Sequence, residues 1–345
     1  MKYTSGYIED IRDALNANPI INSLAGKSIV VTGGGGLIGS AIVDILIEAN
    51  RQLANPFNIF IAARNKKKIE NRYGLLLKNP CVHFLPYDAL SSIDWDSHYD
   101  YIIHAASPAN PALYIKEPVE VLRANIFGLY NILEYAKKYS VSRVLYVSSG
   151  EIYGKKNETR PYMENDYGYL DILTTRACYP SAKRASETLC IAHMQEYGTD
   201  VVIARPGNTY GPSATISDNR ATNQFARNII NNEDIVMKSS GDQIRTFCYS
   251  IDCATAILTI LAKGQSGNAY NISNPCSEAS IREFAMLMAE IGKKQVIFET
   301  ASDSEKKSYN MMDDLRFDSS KLKKLGWQGV VGLEKGIRHT LEAIE

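Results

Sequence analysis

The chain has 345 residues, 45% apolar and 22% charged, which suits about two compact units with a real core and excludes disorder as its main state. Lys plus Arg and Asp plus Glu both number 38, so no net field gathers nucleic acid or an anionic membrane, and any phosphate must be bound by a local site. Six cysteines with no CxxC and no His cluster at ligand spacing argue against zinc or another metal centre and against a disulfide framework. A reduced cytosol fits best.

The N-terminal stretch MKYTSGYIEDIRDALNANPI carries acids early and lacks an apolar h-region. No uncharged apolar run approaches the ~20 residues needed to span a bilayer, so the chain is expected to be cytoplasmic and to have no membrane span. Residues 6–24 place Ile8, Ile11, Leu15 and Ile20 at mostly helical spacing and end in Ala25-Gly26. Residues 1–25 therefore read as a helical extension that packs on the domain behind it.

From Ser28 the pattern alternates. Strands are expected at 28–32, 58–63, 82–86, 101–106, 143–148 and 200–205, with helices at 38–50, 116–138 and 179–197 between them. This alternation predicts an α/β fold, a doubly wound parallel Rossmann sheet, over 26–208 and rejoined by about 244–270. The helix at 116–138 puts Val119, Leu122, Ile126, Tyr130 and Leu133 on one apolar face, which can cover the sheet or meet another subunit. Past 208, shorter helices (222–231, 279–291, 319–325) and Gly/Ser/Asn loops make 209–345 the smaller α/β, mainly substrate-binding domain.

Lys27-Ser-Ile-Val-Val-Thr32 runs into Gly33-Gly-Gly-Gly36-Leu37-Ile38-Gly39, so a strand, a glycine turn and a helix occur in the order that a dinucleotide pyrophosphate requires. The strand at 58–63 ends not in the acid that holds the ribose of NAD but in Arg64-Asn65, followed by three lysines. An Arg fork there suits a 2′-phosphate, which favours NADP over NAD. Asp88 and Ala89 follow the next strand where an adenine would lie, and Ala105, Ala106 and Ser107 end the following one beside the cofactor.

Tyr179-Pro-Ser-Ala-Lys183 opens a helix with the two polar side chains a turn apart. Upstream, Ser148-Ser149-Gly-Glu151 leaves a strand at the carboxyl edge of the sheet. A phenol with a reference pKa near 10 needs a nearby cation to act as a base at neutrality, and Lys183 is in position to supply one; Ser149 can bind the same substrate hydroxyl.

At these residues the chain resembles the extended short-chain dehydrogenase/reductase family of nucleotide-sugar epimerases, dehydratases and decarboxylases, from about residue 26 onward. The segment from His104 to Leu133, Tyr167-Gly-Tyr-Leu-Asp171, Arg176 to Thr188 and Gly241 to Tyr249 are most similar to the UDP-glucuronate decarboxylase group. The resemblance implies Ser149, Glu151, Tyr179 and Lys183 as catalytic residues. It further implies Asn125 and Pro206 near the cofactor, and Tyr114, Asn208, Gln224 and Arg245 on a sugar nucleotide diphosphate. A homodimer through helices 116–138 and 179–197 is also implied. Two departures stand out: Gly150 replaces the Asp or Ser before the glutamate, and the arginine that decarboxylases carry before a Pro-Asp is missing from Lys307 to Arg316.

The expected chemistry is transient C4 oxidation by NAD(P) followed by C5 chemistry of decarboxylase or 4,6-dehydratase type, because a base at Glu151 has no task in simple 4-epimerisation. A 4-epimerase, an NADPH-dependent 4-ketoreductase and a non-catalytic dinucleotide sensor are the alternatives.

Overall fold

The computed structural model describes residues 1–214, 218–301 and 312–344. The strands among them are β1 (Ser28–Thr32), β2 (Asn58–Ala63), β3 (Val82–Pro86), β4 (Tyr101–His104), β5 (Arg143–Val147), β6 (Val201–Pro206), β7 (Asn208–Tyr210), β8 (Ile235–Met237), β9 (Ile244–Tyr249), β10 (Ala269–Ile272), β11 (Glu278–Ser280), β12 (Val296–Phe298) and β13 (Asp314–Leu315). Helices α1 (Ser5–Ala17), α2 (Leu37–Asn50), α3 (Lys66–Tyr73), α4 (Pro111–Lys116), α5 (Pro118–Lys138), α6 (Cys178–Tyr197), α7 (Ala221–Ile230), α8 (Ser250–Lys263) and α9 (Ile281–Ile291) precede a last helix, Leu333–Ile344.

Seven strands form one parallel sheet in the order β10-β6-β5-β4-β1-β2-β3. Val30 and Val31 lie opposite Phe60 and Ile61 on one side and Ile102 and Ile103 on the other. These central strands are apolar almost throughout because helices cover both faces. Helices α2 and α8 pack on one face through Ile42, Ile45 and Ile257, and α5 and α6 pack on the other through Leu129, Ile132 and Cys190. The chain runs outward in opposite directions from β1 and β4, so their carboxyl ends open a crevice at the switch point. Beyond β6 a smaller sheet forms around β9, antiparallel to β11 and parallel to β7 and β13, beside a parallel pair β8–β12.

Three expectations need revision. The helix predicted over 6–24 breaks at Asn18, which leaves helical geometry (φ −126°, ψ 59°) because Pro19 crowds the residue before it; Pro19–Leu24 continues as a 3₁₀ helix. Pro118 likewise splits the helix predicted over 116–138, separating α4 from α5. On α5 the buried residues include Val121, Ala124, Asn125, Leu129, Ile132 and Leu133, whereas Val119 and Tyr130 are exposed and Leu122 and Ile126 half-buried. The five residues read as one face are therefore split, with Leu133 buried and Val119 and Tyr130 exposed, because apolar residues occur on both sides of α5. The C-terminal helix Leu333–Ile344 has no counterpart among the predicted elements.

The N-terminal extension is tied at both of its ends. Tyr3 and Tyr7 donate to the Asp44 carboxylate on α2 at 2.8 Å each, and Arg72 on α3 donates to it at 2.6 Å. Asn18 exchanges two hydrogen bonds of 2.9 Å with the backbone of Gln328. No helix among the described residues is long and apolar enough to cross a membrane.

Candidate active site

Strand β1 delivers the chain to Gly33, whose φ of +69° suits a residue without Cβ. A side chain at Gly39 would collide with the Gly33 carbonyl, so α2 begins in direct contact with the turn. Gly36 is the N-cap of α2 and brings no capping side chain, which leaves the first-turn N–H groups, those of Leu37 and Ile38 included, for an anion. A pyrophosphate fits this cradle.

Thr32, which sequence reasoning passed over as a strand residue, locks the crevice floor. Its hydroxyl accepts from the N–H groups of Ala105 and Ala106 at 3.1 Å each and meets His104 Nδ1 at 2.9 Å. Ser107 donates to Asn125 at 2.8 Å, and Asn125 is anchored on the Val121 carbonyl, so buried Asn125 holds the segment beside the cradle. Pro206 ends β6 and lines the cavity described below. Arg64 is exposed at the end of β2, Asn65 caps α3 by accepting from Lys68, and Lys68 extends along Gly35. Asp88 accepts from Leu90 N–H at 3.0 Å, and Ala89 packs against Gly128.

Helix α6 presents Tyr179 and Lys183, both buried, to the ends of β5 and β6. Lys183 Nζ donates to the Val147 carbonyl at 2.8 Å and lies over the rings of Tyr146 and Tyr179, at 4.7 and 5.6 Å from their centroids. Burial pushes its pKa down to about 7, against the pull of Glu187 one turn along. Burial also pushes the Tyr179 phenol up to about 12, opposed by a hydrogen bond from Ser149 and by the charges of Arg220 and Arg176, while Glu151 pushes the same way as burial. Arg220 and Arg176 thus stand near the phenol in addition to Lys183, which lies 5.6 Å from its ring centroid. Tyr114 stacks on Tyr179 with centroids 4.7 Å apart and planes 10° from parallel.

A cavity of about 670 Å³ opens in front of this group. It is lined by Tyr114, Ser149, Glu151, Tyr179, Asn208, Gln224 and Arg245, drawn from six separate stretches of chain, and also by Arg176, Arg220, Lys238 and Phe317. Glu151 is gripped by Arg176 through both oxygens, at 2.9 and 3.0 Å. Arg245 is buried, with its guanidinium on the carbonyls of Ile244, Met312 and Asp313, which satisfy donors without cancelling charge. Asn208 Nδ2 is buried and without a hydrogen-bond partner among the described residues. A wall with a guanidinium hydrogen-bonded only to carbonyls among the described residues, and an unused amide donor, suits an oxygen-rich anion such as a diphosphate. Gln224 bonds Asn228 and Arg227 on its own helix.

Position 150 has no side chain because there is no room for one: a Cβ there would run into the Phe317 ring. The stretch Lys307–Met311, where the decarboxylase arginine was sought, lies outside the described residues; Arg316 turns away to Asp314 and the Thr159 carbonyl. Arg176 could have been found from its place three residues before Tyr179, but nothing local pairs it with Glu151, 25 positions upstream.

The depressed Lys183 pKa carries a stability signature. An unfolded chain binds this proton up to about pH 10.5, whereas the folded one releases it near 7, so stability rises with pH between those values. Replacing Lys183 by Met should raise the Tm, and by more at pH 6 than at pH 9; calorimetry that finds the Tm lowered equally at both would refute the burial cost.

Comparison with known proteins agrees with this geometry. The model of the NAD dependent epimerase/dehydratase family matches residues 29–273. UDP-glucuronic acid decarboxylase 1 of Xenopus tropicalis is 31% identical over 319 residues, covering 91% of this chain and 71% of that protein. UDP-glucuronic acid decarboxylase 6 of Arabidopsis thaliana is 31% identical over 328 residues, covering 93% and 90%. The fold matches the UDP-glucose 4-epimerase of Thermotoga maritima (TM-score 0.76, 23% identity, 92% of this chain and 98% of that one). It also matches a dTDP-glucose 4,6-dehydratase of Streptomyces venezuelae (TM-score 0.78, 22% identity, 91% and 96%). The chain belongs to the NAD dependent epimerase/dehydratase family and is an NAD-dependent nucleotide-sugar enzyme of the extended short-chain dehydrogenase/reductase type.

Proposed function

We propose that this chain oxidises C4 of a nucleotide-activated uronate, releases C6 as carbon dioxide and reduces the resulting 4-keto pentose. One observation carries the choice of reaction: among the described residues, Glu151 is the only carboxylate lining the cavity, and Arg176 holds both of its oxygens. Expelling a C6 hydroxyl requires a proton donor at the leaving oxygen. Both Glu151 oxygens already accept from Arg176, no other carboxyl among the described residues lines the cavity, and the Phe317 ring fills the space beside Gly150. Carbon dioxide leaves without needing that proton. Decarboxylation is therefore favoured over dehydration, in line with the names of the curated relatives.

In this reading Tyr179 takes the C4 hydroxyl proton, Ser149 binds the same oxygen, and Lys183 with the neighbouring arginines favours the phenolate. NAD, when bound on Gly33–Gly39, supplies the hydride acceptor. The 4-keto group then accepts the electron pair of the breaking C5–C6 bond, and Glu151 orients the water that returns a proton to C5. Arg245, Asn208 and Gln224 are assigned to the nucleotide diphosphate and Tyr114 to the sugar. The cofactor falls to residues 26–208 with about 244–270, and the sugar nucleotide mainly to 209–345.

Two finer points belong to the same reading. Arg64 at the end of β2 and Lys68 alongside Gly35 favour a 2′-phosphate, hence NADP over NAD. The outward stripe of α5, with Val119, Phe127 and Tyr130 exposed, is assigned to a homodimer in which α5 and α6 of each copy form a four-helix bundle.

Incubation with UDP-glucuronate and NAD in deuterium oxide should give carbon dioxide and a UDP-pentose with one solvent deuterium at C5, and Tyr179→Phe should lower turnover by roughly 10² or more while dinucleotide binding persists. UDP-galacturonate without carbon dioxide would make the enzyme a 4-epimerase instead. Titration calorimetry should find NADP bound more tightly than NAD; equal affinities would remove Arg64 from cofactor choice. Light scattering at micromolar concentration should give twice the mass of the chain, and a monomer would leave the α5 stripe without a dimer to explain it.

A further inference from the structure

Arg176 lies on the 3₁₀ turn Thr175–Ala177, which leads directly into Cys178 and Tyr179 at the start of α6. Its guanidinium links Glu151 to the aromatic pair beside it. It donates from two nitrogens to the two oxygens of Glu151, it sits 5.0 Å from the centroid of the Tyr114 ring, and through Tyr114 it reaches Tyr179, on which that ring is stacked. Glu151, Arg176, Tyr114 and Tyr179 thus form a continuous packed run along one wall of the cavity.

The four residues come from three parts of the chain: the turn after β5, helix α4 and the entry to α6. Glu151 needs an external tether because its own turn is short. The 3₁₀ segment Gly150–Tyr153 has only the Ser149 hydroxyl as a cap, and the glycine before Glu151 adds no packing. A monodentate partner would let the carboxylate swing about its last torsion, whereas a planar fork bonded to both oxygens fixes its plane as well as its place. Tyr114, pressed between the guanidinium and the Tyr179 ring, passes that alignment to the residue acting at C4.

We infer that Arg176 is a positioning residue which fixes the carboxylate plane of Glu151 relative to Tyr179, and so determines from which face C5 receives its proton. The inference rests on the decarboxylase reading above. Its consequence is stereochemical: C5 of the pentose carries two hydrogens, and water oriented by an immobile Glu151 delivers solvent hydrogen to only one of those positions.

The test compares wild type, Arg176→Met and Arg176→Lys on UDP-glucuronate and NAD in deuterium oxide, with the label at C5 assigned by proton NMR. Arg176→Met should still release carbon dioxide but spread deuterium over both C5 positions and shed 4-keto pentose, and added guanidinium ion should restore the single position. Arg176→Lys should fall between the two. If Arg176→Met keeps a single labelled position and is merely slower, or if its loss of activity follows a loss of folded protein seen by circular dichroism, the inference is wrong while the decarboxylase reading stands. A wild type that yields neither carbon dioxide nor label overturns the decarboxylase reading instead. The positioning role is then decided by the crystal structure of Arg176→Met: a turned or disordered Glu151 carboxylate supports it, and an unmoved one refutes it.

Discussion

The crevice depends on one buried ion pair. Arg205, on β6, donates to both oxygens of Glu187, on α6, at 2.6 and 3.0 Å, and the same carboxylate accepts from Ser148 at 2.5 Å. Arg205 also donates to Tyr153 and to the Glu164 carbonyl. Two charges taken out of water are costly unless every donor and acceptor is met, and here they are met by groups on four segments. The pair therefore adds less to net stability than to placement. It pins α6, with Tyr179 and Lys183, against the strand ends that carry Ser148 and Ser149. Removing either partner would leave a bare charge in the core of the site.

Around that anchor the site separates two electrostatic tasks. Lys183 is buried with its ammonium directed at a backbone carbonyl and two aromatic faces, an arrangement that costs stability. The cavity beyond holds Arg176, Arg220 and Arg245. Arg176 and Arg220 face the carboxylates Glu151 and Asp218, while Arg245 is held by carbonyls alone. Among the described residues Arg245, on the side of the cavity assigned to the nucleotide diphosphate, hydrogen-bonds carbonyls where Arg176 and Arg220 hydrogen-bond carboxylates.

Part of this was legible before any coordinates. The strand into Gly33–Gly39, the Tyr179/Lys183 spacing and the Ser149/Glu151 pair on the turn after β5 each depend on residues within a few positions of one another, so local pattern was enough. Glu151 showed as a functional carboxylate from its turn, but not its tether. Whether Val119 and Tyr130 cover the sheet or face outward stayed open, because α5 carries apolar residues on both sides and periodicity alone does not say which the core takes.

Sequence by itself determined the doubly wound class, the glycine turn and the pairing of Tyr179 with Lys183 on one helix, since glycine placement, alternation and helical spacing are properties of short segments. Only the tertiary structure decided what those groups meet. The Arg176 fork on Glu151, the Phe317 ring against Gly150, the Thr32 hydroxyl across β4 and the Asn18 bond to Gln328 join positions 25, 167, 73 and 310 residues apart. Contacts at such separations arise from how sheet and helices pack as a whole, and no local pattern along the chain encodes them.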